Sequence, residues 1–99
     1  MIPPKANAGF VAAMESALTL GDTATARGLL SRATNAPPGR RAPVLEAQAC
    51  RFRGRLDAKE AQYGAAEALF RELELPFWLA VTQAEHGEWL AVARVHEPR

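Results

Sequence analysis

A single cysteine in 99 residues rules out an intrachain disulfide framework. Isoleucine is all but missing and valine is sparse. No run alternates apolar with polar residues over strand length, so a β-sheet has little to be built from. No apolar stretch approaches the roughly 20 residues a membrane-crossing helix needs. The opening Met1-Ile2-Pro3-Pro4-Lys5 lacks the apolar core of a secretory leader. Charge of one sign is lacking too. Twelve Lys and Arg against eleven Asp and Glu leave a net +1, too little to draw nucleic acid or an anionic membrane. The cytoplasm is the expected compartment, with neither nucleic acid nor membrane as a partner.

Reactive groupings are equally scarce. Of the two histidines, His86 follows Glu85 but has no second ligand at helical spacing, so the H-E-x-x-H pattern of zinc peptidases is absent. Ser16 and Ser31 have no histidine and acid nearby in sequence, and Glu72 and Glu74 sit on different sides of a helix rather than converging. There is no G-x-x-x-x-G-K-[ST] phosphate loop. No catalytic residue, cofactor or metal is expected, and the chain reads as a non-enzyme.

Alanine is what the chain has in quantity, and alanine is the best helix former because it loses no rotamer freedom and buries no polar group. The expected class is all-α in one domain spanning 1–99. Helix one is expected over 7–20, with Asn7 as its cap and Phe10, Ala13, Met14, Ala17 and Leu18 as its buried stripe. Gly21 stops it and Asp22 caps helix two, whose inner face carries Ala26, Leu29, Leu30 and Ala33. Pro37, Pro38 and Gly39 forbid continuation. Helix three starts near Pro43 with Leu45, Ala49, Phe52 and Leu56 inward and Cys50 beside them as a small buried hydrophobe. The chain turns at 57–59, less sharply than at Gly21-Asp22 for want of a glycine. Helix four carries Tyr63, Ala66, Leu69, Phe70 and Leu73, and its Gly64 suggests a close helix crossing. Pro76 opens helix five, which runs to about Val95 and holds both tryptophans. The tail from His96 to Arg99 is expected to fray.

Gly54 and Gly87 stand one helical-repeat length apart, within the period of about 30 to 40 residues that marks helix–turn–helix solenoids. Phe10, Gly21-Asp22, Ala26, Leu30, Ala33 and Pro38 follow the order of aromatic, turn, small, large, small and proline of the tetratricopeptide repeat, which the chain resembles. A second copy matches at Gly54, Tyr63, Ala66 and Phe70, with Pro76 early and Leu73 where a small residue is usual. A third half-copy matches at Gly87 and Leu90. A closer likeness lies in three stretches: Pro37-Pro38-Gly39-Arg40-Arg41-Ala42-Pro43, Glu46-Ala47-Gln48-Ala49 with Arg51-Phe52-Arg53, and the run from Ala65 to Gln83 followed by Glu85-His86-Gly87-Glu88-Trp89-Leu90. These look like the C-terminal helical-repeat tail of large bacterial signalling proteins that join a class III adenylate or guanylate cyclase domain to a P-loop ATPase module. Related tails follow ATPase modules in LuxR-type regulators. The likeness departs at 56–62, where the connection is shorter.

This resemblance implies a stack of antiparallel helix pairs forming a short tetratricopeptide-like solenoid of about five helices. It implies catalysis in a parent protein and none here. The expected role is a protein–protein interaction or scaffold module within a regulatory tail, with an autoinhibitory or sensory element controlling an attached cyclase or ATPase domain as the alternative. Partners are then a protein or peptide, another domain of the parent, or a second copy.

Two surfaces follow. Gln48, Arg51 and Arg55 share a face of helix three. If helices one, three and five line the concave side, these residues project into a groove flanked by Glu15 and Glu88, where guanidinium forks suit an acidic peptide. Arg40 and Arg41 form a second, weaker basic pair in the loop. Helix five is apolar on more than one face and has no successor to cover it, so Phe77, Trp78, Trp89 and Leu90 are the candidates for self-association.

Overall fold

The helix ends are set by a few residues whose local chemistry is plain in the computed structural model, which describes residues 4–35 and 43–96. Within them lie α1 (Pro4–Thr19), α2 (Thr23–Thr34), α3 (Pro43–Asp57), α4 (Glu60–Glu72) and α5 (Pro76–His96). Gly21 takes φ +72°, its N–H bonds to Leu18 O and the Asp22 N–H bonds to Ala17 O, closing α1 with a left-handed cap. Asp22 then caps α2 by accepting from the Thr25 N–H at 3.1 Å and the Thr25 hydroxyl at 2.6 Å. These bonds to Thr25, the side-chain one foremost, hold the Asp22 carboxyl below its usual range. Pro43 and Pro76 open α3 and α5 at the position where a missing N–H costs nothing. Asn7 lies inside α1 rather than capping it, because the helix begins at Pro4. Arg40, Arg41, the Pro37-Pro38-Gly39 turn and the tail 97–99 lie outside the described residues.

Two turns use the left-handed region without glycine. Ala58 (φ 52°) makes the α3–α4 link only two residues long, so this turn is tighter than expected despite the missing glycine. Glu74 (φ 57°) closes α4, with the Glu74 N–H on Arg71 O and the Leu75 N–H on Phe70 O. Such residues cost about 1 kcal/mol or more each, and neighbouring packing must offset that. Leu75 and Phe70 belong to one apolar cluster, which supplies it.

The protein is all-α. Each helix packs on the next, and α1 also reaches α3, the sequential packing of a small solenoid. Two apolar clusters result. Met14, Ala17, Ala26, Leu30, Ala49 and Phe52 join α1, α2 and α3, with Phe10 edge-on to Phe52 at 5.7 Å. Ala47, Cys50, Ala66 and Phe70 join α3 and α4, with Trp78 and Leu79 of α5 packed against them. Both clusters draw on α3, which is buried without a break from Ala47 to Phe52 and so has no solvent side over that span. Burial pushes the Cys50 thiol up, with Glu46 adding to the effect, which fits the expected inert packing role. No helix among the described residues is long and apolar enough to cross a membrane.

The close crossing falls at Gly54, not Gly64. A Cβ on Gly54 would come within 3.0 Å of three Tyr63 ring atoms, whereas Gly64 is exposed with open space around it, as is Gly87. The opposite signs are testable. Gly64→Ala should stabilise by about 0.5–1 kcal/mol through helix propensity. Gly54→Ala should lower stability by about 1 kcal/mol or more, since overpacking costs about 1–3 kcal/mol and outweighs the same propensity gain. Urea melts of the two variants measure both.

Candidate interaction groove

The face of α3 that carries Gln48, Arg51 and Arg55 meets α1 on one side and α5 on the other. There the charged side chains find one another. Arg51 is 1% exposed, too deep for water to solvate its charge. Its Nη1 donates to Glu85 Oε2 at 2.7 Å and its Nε to Gln48 Oε1 at 2.9 Å, with Glu15 Oε1 at 3.6 Å. The guanidinium lies 4.2 Å from the Phe52 ring centroid and 5.3 Å from that of Trp78, within cation–π range. Arg55 donates from Nη1 to Glu15 Oε1 at 2.5 Å and stands 3.5 Å from Glu85 Oε2. Three helices are thus tied by two arginines and two glutamates. Gln48 Nε2, Arg51 Nη2 and Glu85 Oε1 are buried without a hydrogen-bond partner among the described residues.

This geometry corrects the expected placement of two residues. Gln48 and Arg51 do not project into the groove but lie beneath its wall, because α3 is enclosed there and the two side chains bond to each other and to Glu85. The groove itself has a volume of about 430 Å³ and is lined by Glu15, Arg55, Tyr63, Glu85, Glu88, Trp89 and Val92. Glu15, Arg55 and Glu88 are therefore where the sequence pattern puts them. Glu85 is the residue that pattern misses. Its signal was its position: with Trp78, Thr82 and Trp89 it forms a stripe at helical spacing, and an acid in such a stripe requires a cation opposite. Thr82 itself is fully buried, its hydroxyl donating to Trp78 O at 2.7 Å.

The electrostatics of the groove follow from this pairing. Glu15 and Glu85 spend their charge on Arg51 and Arg55, and Glu88 is an exposed carboxylate with no ion pair among the described residues. The groove is accordingly negative rather than positive. Tyr63 on its wall has its phenol pushed up, by burial first and then by Glu85, against the smaller opposing effects of Arg55 and Arg51.

Behind Tyr63 lies a second polar cluster. His86 stacks on the Tyr63 ring at 5.3 Å and 8° and stands 6.5 Å from Trp89. Its Nδ1 is 2.6 Å from Glu67 Oε2 and its Nε2 3.3 Å from Glu60 Oε1. With a carboxylate at each ring nitrogen, the imidazolium form donates twice and clamps α5 to α4. The bond to Glu67 leads in raising the His86 pKa above its ordinary value. A raised folded pKa stabilises fully below the unfolded value near 6.5, and the contribution fades as pH climbs through the folded value. Thermal melts should therefore show a higher midpoint at pH 6 than at pH 8.5. His86→Gln should flatten that slope.

The apolar residues expected to mediate self-association divide between two sides of α5. Trp78 turns inward, packing on Phe70 at 6.4 Å and over Arg51, and Trp89 joins the groove wall. Phe77 is 67% exposed, and Leu90 is exposed on a different flank. Comparison of the chain with protein-family models, with curated proteins and with solved structures gave no match.

Proposed function

We propose that this chain is a non-catalytic interaction module whose α1–α3–α5 groove holds a basic stretch of a partner protein. The observation that carries this reading is the convergence on one groove of Glu88, exposed and with no ion pair among the described residues, with the Glu15 and Glu85 carboxylates and the Trp89 ring, against Arg55 alone as a lining cation. Carboxylates beside aromatic faces suit a lysine or arginine side chain, which gains an ion pair and a cation–π contact together. An acidic peptide would instead have to displace Glu15 and Glu85 from their arginines. This replaces the acidic-peptide expectation with its opposite.

The setting we infer, from resemblance alone, is the regulatory tail of a bacterial nucleotide cyclase or ATPase signalling protein. The basic stretch then belongs to another domain of that parent or to a separate protein. Lysine-rich, glutamate-rich and neutral peptides, titrated against tryptophan fluorescence, test the groove reading. The lysine-rich peptide should bind best, weaken with added salt, and lose most of its affinity in Glu88→Gln and in Trp89→Ala. Preference for the glutamate-rich peptide would sink it. Removing the segment from a full-length parent, with no change in cyclase or ATPase output, would sink the regulatory setting while leaving the groove untouched.

A further inference from the structure

The outward side of α5 carries a pattern that the core does not use and that touches the groove only at Glu88 on its rim. Phe77, Val81, Ala84, Glu88, Ala91 and Val95 follow one another in alternating steps of four and three residues, the spacing of a seam that meets another helix. Phe77 is 67% and Val95 80% exposed, and Ala84, Glu88 and Ala91 are exposed between them. Over a helix of 21 residues, at about 1.5 Å each, the stripe is roughly 30 Å long.

The geometry points to a second copy of this chain as the occupant, docked with its own α5 antiparallel across a two-fold axis that crosses the exposed face of α5 at the level of residue 86. In that register Phe77 faces Val95 of the other copy, Val81 faces Ala91 and Ala84 faces Glu88. Every layer sets a larger side chain against a smaller one, and the alanines let the two backbones approach closely. The match is self-complementary, as a two-fold contact requires. A parallel pairing would put Glu88 against Glu88 at mid-seam.

Charge selects the same orientation. Arg94 is exposed at the C-terminal end of α5, while Glu72 and Glu74 are exposed just before its N-terminal end, and none of the three has an ion pair among the described residues. Arg71 leaves that flank with one net negative charge. Antiparallel docking brings Arg94 of each copy to the acidic flank of the other and opposes the two helix dipoles. Parallel docking aligns like with like. This pairing does not rest on the groove reading, and the Ala84 charge variants that test its strength leave Glu88, on the shared rim, unchanged.

Sedimentation equilibrium of the whole chain, from low micromolar to millimolar concentration, is the measurement. A monomer–dimer equilibrium is expected. Ala84→Glu should weaken it by at least about tenfold by setting a second acid against Glu88. Ala84→Lys should tighten it, because lysine meets Glu88 in the antiparallel register only. In a Cys50→Ala background, mixed Ala84→Cys and Glu88→Cys chains should form the mixed disulfide, and Ala84→Cys alone none, since its copies lie beyond the reach of about 7 Å between Cα atoms. A monomer throughout, with helical circular dichroism intact, overturns the proposal. So does a dimer indifferent to both Ala84 charges, or a disulfide between two Ala84→Cys chains.

Discussion

Arg51→Ala should cost about 3–5 kcal/mol, the size expected when one partner of a buried ion pair is removed. A domain of this kind has only about 5–15 kcal/mol to lose. The loss has separate physical parts. Glu85 keeps a partly buried carboxylate with Arg55 at 3.5 Å as its remaining cation. Gln48 loses its acceptor bond, and the rings of Phe52 and Trp78 lose the cation packed on them. Arg51→Lys should recover only part of this, since an ammonium cannot reach Gln48 and Glu85 at once with the fixed fork of a guanidinium. The informative variant is double. Arg51→Met with Glu85→Gln removes both charges and keeps the volume, so it should stand closer to the parent protein than Arg51→Ala does. Chemical melts of the three variants settle the order. If Arg51→Ala melts within about 1 kcal/mol of the parent, the ion-pair account fails.

Phe70→Ala should cost a similar amount, about 3–5 kcal/mol, for a different reason. Phe70 is fully buried, stacks against Trp78 and sits under the Leu75 turn that leads into α5. Its removal leaves a void between α4 and α5 while the α1–α2–α3 cluster keeps all its members. In a one-dimensional stack the damage should therefore be local, with α5 loosening before the rest. Tryptophan emission, which comes only from α5, should shift at lower denaturant than helical circular dichroism. Coincident transitions would contradict this separation.

Much of the fold was legible because it rests on local chemistry. Asp22, Pro43 and Pro76 are strong punctuation, and the α2 and α4 stripes have helical spacing. What the sequence concealed depends on partners far along the chain. The tie between Arg51 and Glu85 spans 34 positions, and no periodicity marks it. Arg51 therefore reads as a groove cation from the sequence alone, and only the packing of α5 buries it against Glu85. Gly64 looked like a crossing point because a glycine inside a helix invites that reading, but the crossing depends on which ring lies opposite, and Tyr63 lies over Gly54. Ala58 and Glu74 adopt left-handed backbone without the residue that would announce it. Helix five showed its excess of apolar residues, but only packing sorted Trp78 and Trp89 inward from Phe77 and Val95 outward.

The enclosure of α3 bears on how this molecule tolerates change. A helix with neighbours around its whole circumference has almost nowhere to accept drift, because any substitution from Ala47 to Phe52 meets a wall. Variation compatible with the architecture is thereby confined to the outer helices, where new recognition surfaces can arise while the central rod stays fixed.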